Sequence, residues 1–206
     1  NVTLSELTSR IGYVPQKGVL FSGTVVSNIS YGNQRASCKE LEKAAQVAQA
    51  AEFINELDSA YDSSIAQGGS NVSGGQRQRL SIARALATQA QIYIFDDSFS
   101  ALDFKTDAKL RRALAKEMKY KTMLIVAQRI NTIMNADKII VLDEGKIVGQ
   151  GTHAELMQSC CVYQEIAASQ LSDEELTQLA ANVAMPSSAS KRSATRSVRR
   201  QKGVAR

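Results

Sequence analysis

The spacing of apolar residues changes several times along the chain, and each spacing predicts one kind of element. Short, continuous apolar runs occupy Ile11–Val14 and residues 91–95 and 123–127. Runs of this length are typical of strands that are covered on both faces of a sheet. We therefore predict three buried strands, the second of which leads directly into two acidic residues, Asp96 and Asp97.

Longer segments between these runs have helical spacing. Leu41, Ala44, Ala45 and Ala48 recur three and four positions apart, as on one face of an α-helix. The apolar residues that follow the loop at 66–75 repeat in the same way. The predicted helices cover residues 39–57, the segment after residue 75, residues 104–118, short stretches within 153–169, and residues 171–184.

The order of these elements indicates the fold class. An acidic pair followed by Gly145 separates apolar runs at 138–142 and 146–148, which predicts a β-hairpin. Elsewhere strands alternate with helices, and this alternation is typical of an α/β domain with a mostly parallel sheet. Residues from about 24 to 90 interrupt it, and we interpret them as an inserted helical subdomain. We expect residues 1–170 to form one folded domain.

Composition narrows the class of protein. The 206 residues are 44% hydrophobic and 22% charged, which suffices for a core and excludes collagen-like, disulfide-scaffold and wholly disordered proteins. No apolar run reaches about 18 residues, so no transmembrane helix is predicted within the chain. The three cysteines, Cys38, Cys160 and Cys161, lack disulfide and metal-site spacing and indicate a reducing compartment.

The formal net charge of +5 is concentrated near the C terminus. Seven Lys and Arg residues and no acid lie between Lys191 and Arg206, which leaves residues 1–190 with 18 basic and 20 acidic groups. The high pI of about 9.2 is therefore no reason to assign the whole chain to nucleic-acid binding. We expect 171–206 to be a basic extension that is disordered from residue 186; attraction to an anionic lipid surface is the alternative.

Ser73-Gly74-Gly75-Gln76 precedes a predicted helix. Ser followed three residues later by Gln is a capping box, which by itself only starts the helix. The same geometry also suits a phosphate group, because two glycines let a ligand approach the free N–H groups at the positive end of the helix dipole. At this point both interpretations stay open.

Asp96 and Asp97 follow a predicted strand at its carboxyl end, where α/β sheets place ligand chemistry. One carboxylate there can hold Mg²⁺, and a second can orient or deprotonate a water molecule. The alternative is a helix cap with a solvated pair of acids. These two residues alone do not decide between the alternatives.

Five short segments follow one another in a recognisable order. They are Val14-Pro15-Gln16, NVSGGQRQR at 71–79, IYIFDD at 92–97, SALD at 100–103 and VAQR at 126–129. In this order they resemble the Q-loop, signature, Walker B, D-loop and switch-histidine motifs of the nucleotide-binding domains of ATP-binding cassette (ABC) transporters. The resemblance covers about residues 10–170. FSGT at 21–24 and GTHAEL at 151–156 are similar to the exporter-type branch.

The resemblance implies a fold, cofactors and partners. The fold would be that of a P-loop NTPase, and the cofactors would be ATP and Mg²⁺. Two nucleotide-binding domains would sandwich two ATP molecules, and their closure and ATP hydrolysis would drive transport. The expected partners are a second nucleotide-binding subunit and a transmembrane domain in the same polypeptide. The chain would therefore belong to a membrane protein and lie on its cytoplasmic face.

The resemblance also assigns roles residue by residue. Asp96 matches the acid linked to Mg²⁺, and Gln16 matches a residue near both Mg²⁺ and the attacking water. Asp97 and Gln128, with Gln16, occupy catalytic positions, and Asp103 is the acid of the D-loop. The signature residues that would act on the partner's ATP are Ser73, Gly74, Gly75 and Gln76.

The chain departs from the family by lacking a P-loop. No Gly-x-x-x-x-Gly-Lys-Ser/Thr sequence occurs, and the only Gly-Lys pair, Gly145-Lys146, lies in the predicted hairpin. The family places its P-loop upstream of the Q-loop, and the chain starts at Asn1 without Met. We therefore interpret it as part of a longer protein that is cut before the P-loop, with the N-terminal part of its sheet missing. Since the P-loop is the main cradle for the phosphates, we expect this chain alone to bind ATP poorly and hydrolyse none.

Two substitutions weaken the predicted catalytic site. Asp97 replaces the family's Glu with an acid one methylene shorter, and Gln128 replaces a histidine with a side chain that cannot become cationic. Because the signature motif is intact, the sequence predicts the degenerate-site half of an asymmetric heterodimer. The alternative is a symmetric homodimer in which Asp97 serves as the base. His153, the only histidine, lies outside these positions and is expected to be structural.

Two other function classes stay open. A soluble ABC-type ATPase acting on nucleic acid or ribosomes would fit the basic extension, and a regulatory module would bind ATP without hydrolysis. The exporter-like segments favour transport, so nucleic acid is not expected as a partner. The transported substrate is set by membrane helices outside this chain.

Overall fold

The computed structural model describes residues 2–170. The chain divides into two compact units, one extending to Ala136 and the other beginning at Asp137. The predicted helix at 171–184 and the predicted disorder from residue 186 lie outside the described residues.

The first unit alternates helices with short strands. Its strands are β1 (Ile11–Val14), β2 (Gly23–Thr24), β3 (Ser64–Ile65), β4 (Ile92–Asp96) and β5 (Thr122–Val126). Its helices are α1 (Leu4–Ser9), α2 (Val25–Ser30), α3 (Cys38–Val47), α4 (Ala51–Asn55), α5 (Gly74–Ala87), α6 (Phe104–Glu117) and α7 (Ile130–Ile133), with single 3-10 turns at Ala60–Asp62 and Gln67–Gly69.

A three-stranded parallel sheet organises this unit, and its order is β1-β4-β5. In β4, Ile92 pairs with Ile11 of β1 on one side and with Thr122 of β5 on the other. The carboxyl ends of all three strands therefore lie at one edge of the sheet. This arrangement confirms the predicted α/β class with a parallel sheet. The mostly helical stretch after β2 also contains β3, which pairs with β2 in an antiparallel ribbon.

Helix α5 lies closest to the sheet and supplies much of the core. Its buried apolar residues join those of β1 and β4 in one cluster. A Cβ atom on Gly12 of β1 would lie 2.7 Å from the Tyr93 ring and 3.2 Å from the carbonyl oxygen of Ala85. Only glycine allows the helix this close to the strand.

Two predictions from spacing are wrong in part. The predicted single helix at 39–57 is broken between α3 and α4, where Gln49 adopts a left-handed φ of 56°. The predicted strand at 123–127 forms one residue earlier, but it is not buried, since Leu124 is 52% and Val126 51% exposed. Within the described residues β5 is the edge strand and pairs only with β4. No helix that the structure describes in the first unit packs closely against its faces, so most of its side chains stay exposed.

The second unit begins with the predicted hairpin, β6 (Ile139–Asp143) and β7 (Lys146–Gly151). Glu144 and Gly145 both have positive φ, 46° and 74°, as the tight turn of a hairpin requires. Helices α8 (His153–Ser159) and α9 (Cys161–Gln170) follow and confirm the short helices predicted there.

A buried polar pair joins these two helices. His153 and Tyr163 are both buried, and the Tyr163 hydroxyl lies 2.8 Å from Nδ1 of His153. Burial lowers the pKa of His153 and raises the pKa of Tyr163 to about 12. Their surroundings therefore favour the neutral form of both side chains.

Over residues 2–170, no helix combines the length and the apolar character that crossing a bilayer requires. Cys38, Cys160 and Cys161 are free thiols, in agreement with the absence of disulfide spacing in the sequence.

Candidate functional site

Predicted site residues meet at the carboxyl edge of the parallel sheet. Asp96 ends β4, Asp97 follows it, and Gln16 lies two residues after the end of β1. The side-chain amide of Gln16 donates from Nε2 to Oδ2 of Asp97 over 3.1 Å. The structure thus brings together two residues that are 81 positions apart in the chain. Their predicted chemical roles stay predictions.

The turn that carries Asp97 is held from both neighbouring strands. Asp97 has a left-handed φ of 44°, a conformation that Asp adopts more readily than most residues. Its N–H donates to the carbonyl oxygen of Val126 in β5 over 2.9 Å. The next residue, Ser98, is fully buried and donates to the carbonyl oxygen of Val14 in β1 over 3.0 Å. The position of the Asp97 backbone is therefore fixed by the sheet.

Asp96 has a partner that sequence reasoning missed. The Tyr13 hydroxyl donates to Oδ2 of Asp96 over 3.1 Å, and this hydrogen bond raises the pKa of Tyr13. The interaction depends on the parallel register of β1 and β4. The one available signal was a polar-tipped residue within the apolar run Ile11–Val14, one residue before the strand ends.

The carboxyl edge supplies oxygen atoms of the kind that Mg²⁺ prefers. Asp96, Asp97 and the side-chain carbonyl of Gln16 are candidates. Among residues 2–170, no group of three or more His, Cys, Asp and Glu side chains is arranged to hold a metal ion. Mg²⁺ is commonly bound through one or two carboxylates together with substrate phosphates and water. The donor set therefore fits a Mg²⁺ ion that arrives with a nucleotide.

The signature residues form the start of helix α5. Ser73 caps the helix, because its Oγ accepts from the N–H of Gln76 over 3.2 Å while Oε1 of Gln76 accepts from the N–H of Ser73 over 2.9 Å. This confirms the predicted capping box. A Cβ atom on Gly74 would meet nothing within 4 Å, so the first turn is open to an incoming group. A 14-residue helix with an accessible N terminus favours anions there.

The D-loop lies beside the signature turn. A Cβ atom on Gly75 would lie 3.5 Å from the carbonyl oxygen of Ala101. Two residues later Asp103 caps helix α6, where its Oδ1 accepts from the N–H of Thr106 over 2.9 Å. Hydrogen bonding to Thr106 lowers the pKa of Asp103, which keeps this carboxylate charged. The structure therefore brings the predicted signature and D-loop segments together.

Gln128 lies in the segment that follows β5, and its side chain is exposed. The residues after it are tied to the D-loop and α6. Arg129 donates to the carbonyl oxygen of Ser100 over 3.4 Å and stacks 5.5 Å from the Phe104 ring centre. Arg111 of α6 donates to the carbonyl oxygen of Asn131. Because the N–H of Asp97 bonds to Val126 (see above), the segment begins beside the acidic turn.

Residues 2–100 match the family model described as ABC transporter. A Bacillus subtilis (strain 168) protein named as the ABC transporter ATP-binding protein YfiB is 46% identical over 174 residues, which are 84% of this chain and 30% of that protein. An ATP-dependent lipid A-core flippase from Desulfotalea psychrophila is 42% identical over 164 residues, which are 80% of this chain and 29% of that protein.

A solved structure has a similar fold. A bacterial Atm1-family ABC exporter with ATP bound superimposes with a TM-score of 0.80 at 37% identity, over 84% of this chain and 30% of that chain. The chain thus spans less than a third of the length of the relatives that it matches.

Proposed function

The chain belongs to the ABC transporter family as an ATP-binding domain, and we propose that it acts in an exporter as one of two paired nucleotide-binding domains. Each domain would contribute its signature turn to the ATP held by the other. Closure of the pair on ATP and its reopening after hydrolysis would drive a transmembrane domain in the same polypeptide. The exporter and flippase named above are similar proteins and support this choice.

The observation that carries the proposal is the contrast between the signature turn and the turn after β4. The signature turn is complete, with Ser73 and Gln76 in reciprocal hydrogen bonds and Gly74 open to solvent. The turn after β4 instead carries Asp97, whose carboxylate is bound to Gln16 and is one methylene shorter than the family's Glu. We infer that this chain serves its partner's ATP better than its own, as one half of a heterodimer.

The roles that we propose within the chain come from the resemblance, and the hydrogen bonds at the carboxyl edge support them. Asp96 would hold Mg²⁺, with Tyr13 fixing one of its carboxylate oxygens through the hydrogen bond described above. Mg²⁺ supplies charge neutralisation on the β- and γ-phosphates when it is bound. Gln16 and Asp97 would orient the attacking water as a pair, and Gln128 would contact the γ-phosphate as a neutral hydrogen-bonding group.

The proposal places the domain on the cytoplasmic face of a membrane. Its ATP would come from the cytoplasm, and its contact with the bilayer would be indirect, through the transmembrane domain. A nucleic-acid partner is not favoured, because residues 1–190 carry 20 acidic against 18 basic groups. We also propose that the 206-residue chain by itself turns over no ATP, because it contains no P-loop sequence to cradle the phosphates.

The decisive experiment is steady-state ATP hydrolysis by the full-length protein with its partner subunit. Ser73→Ala removes a group facing the partner's ATP, whereas Asp97→Ala removes a group from the weaker site. We expect Ser73→Ala to lower turnover far more than Asp97→Ala. Equal losses, or the reverse order, would contradict the asymmetric assignment, and a wild type without turnover would favour a regulatory module.

The chain offers a matched control for the structural part of this effect. Ser37 caps α3 with the same reciprocal pattern, bonding to Glu40 as Ser73 bonds to Gln76. Loss of either cap costs about 0.5–2 kcal/mol of stability. Ser37→Ala should therefore lower the melting temperature as Ser73→Ala does, yet leave the rate of ATP hydrolysis near the wild-type value.

A further inference from the structure

Gln78 in helix α5 is buried, with 2% of its surface exposed. Both the oxygen and the nitrogen of its side-chain amide form hydrogen bonds with one loop. Its Oε1 accepts from the N–H of Gly18 over 2.9 Å, and its Nε2 donates to the carbonyl oxygen of Pro15 over 3.1 Å. The loop 15–18 follows β1 directly. One side chain therefore holds this loop at both of its ends.

The loop is also pressed against the helix. A Cβ atom on Gly18 would lie 3.0 Å from Oε1 of Gln78 and 3.1 Å from both the Arg77 carbonyl oxygen and the Cβ of Ser81. No ordinary side chain fits at this position without movement of the helix or loop. The backbone of the loop at Gly18 thus packs directly against the α5 backbone at Arg77 and against the side chains of Gln78 and Ser81.

Gln16 lies between the two points that Gln78 holds, and its amide reaches Asp97. Ser73, at the start of the same helix, lies just over one helical turn before Gln78. The helix therefore connects two places that the proposed function assigns to different ATP sites. Gln16 serves the site of this chain, and the signature turn serves the site of the partner.

We propose that Gln78 is a positioning residue that locks loop 15–18 onto α5, so that Gln16 and the signature turn move as one unit. Gln78 is buried beneath the loop and would act through Gln16 and the head of α5. Displacement of Gln16 when ATP occupies one site is then transmitted along α5 to the other site. This inference rests on the proposed function, since it concerns communication between paired ATP sites.

The first test replaces Gln78 with an apolar side chain of similar length in the full-length protein. Gln78→Met keeps the bulk but leaves the Gly18 N–H and the Pro15 carbonyl without their partner. The proposed function assigns most turnover to the partner's site, which the signature turn at the head of α5 serves. Because small misplacements of such groups cost large factors in rate, we expect kcat for ATP hydrolysis to fall about ten-fold or more. The KM for ATP should change by less than about two-fold, as expected when binding groups are left intact.

Leu86→Ala is the control for a loss of stability alone. Leu86 is buried in the same helix but lines a cavity with Ala44, Val47 and Met118, away from the loop. It should lower the melting temperature without the ten-fold fall in kcat. Hydrogen–deuterium exchange of the peptide that contains Gly18 should become faster in Gln78→Met and stay slow in Leu86→Ala.

Gln78→Glu separates positioning from simple packing through its pH profile. A neutral glutamic acid can accept from Gly18 and donate to Pro15, whereas an ionised one loses the donor and faces the Pro15 carbonyl with a negative charge. We expect the activity of Gln78→Glu relative to wild type to rise as the pH falls. The activity of Gln78→Met relative to wild type should not change with pH.

The outcomes separate the inference from the function on which it rests. If the wild type hydrolyses ATP and Gln78→Met does so within about two-fold of the wild-type rate, the inference is overturned. It is also overturned if the activity of Gln78→Glu relative to wild type does not change with pH, or if hydrogen–deuterium exchange at Gly18 is unchanged in Gln78→Met. A wild type that does not hydrolyse ATP overturns the proposed function itself, whatever the exchange experiment shows. If Gln78→Met does not fold, the pH profile of Gln78→Glu decides.

Discussion

Under the proposed function, lengthening the acid after β4 should raise the rate of ATP hydrolysis at this chain's own site. Asp97→Glu adds one methylene, about 1.5 Å of reach, at a backbone position fixed by Val126 and Ser98. Because a misplacement of about 1 Å costs on the order of 10²-fold in rate, the carboxylate should regain much of that factor. The gain should stay below 100-fold, since Gln128 still occupies the histidine position.

The measurement requires that the partner's faster site be silenced. Ser73→Ala does this under the proposed function, so the comparison is between Ser73→Ala and the double variant Ser73→Ala/Asp97→Glu. We expect residual ATP hydrolysis in the full-length protein to rise about 10-fold to 100-fold. Without the silencing change, the gain would be at most about two-fold, because a second equal site can only double turnover.

The same substitution should have a cost in stability. Asp97 has a φ of 44°, a left-handed conformation that Asp adopts more readily than longer side chains, so we expect a loss of about 1 kcal/mol. Asp58→Glu, on an exposed segment, controls for the added methylene. Residual turnover that does not rise, in a protein that still binds ATP, would refute the reasoning that reach limits this site.

Two further outcomes can be checked by unfolding experiments. Burial lowers the pKa of His153 below 6.5, so the unfolded chain binds an extra proton between the folded pKa and 6.5. The free energy of unfolding should therefore rise with pH through that window and become level above it, and a Tyr163→Phe variant should keep this slope. Gly12→Ala would place a Cβ atom 2.7 Å from the Tyr93 ring. In chemical denaturation it should therefore lower the free energy of unfolding by about 1–3 kcal/mol. Gly74→Ala is the control, because open space surrounds that position and no overpacking cost is expected.

Local signals in the sequence predicted local structure well. The Ser73 capping box and the Gly145 turn each depend on residues within a few positions of one another, and both form as predicted. The break between α3 and α4 at Gln49 could not be predicted, because no Gly or Pro at that position marks the end of a helix. Gln49 takes up a left-handed conformation there, and its carbonyl oxygen accepts from Arg79 over 2.7 Å. Tertiary contacts of this kind override helical spacing.

Contacts between residues that are distant in sequence could be predicted only in part. Gln16 and Asp97 could be placed at one site because each resembles a family motif. Tyr13 and Gln78 belong to no catalytic position of that resemblance, and their partners are 83 and 60–63 residues away. Nothing in the local pattern marks such contacts. They depend on the register of β1 against β4 and on the depth at which α5 packs.

The sheet order also determines how the chain must be assembled during synthesis. At about 5–20 residues per second, β1 leaves the ribosome about 4–16 s before its neighbour β4. Among residues 2–170, β4 is the only strand that pairs with β1. During that interval β1 lacks this partner, and it is open to aggregation or to chaperone capture. Closing the intervening chain is slow, since non-local strand pairing forms late. The carboxyl edge that brings Gln16 to Asp97 can therefore form only after β4 has been synthesised.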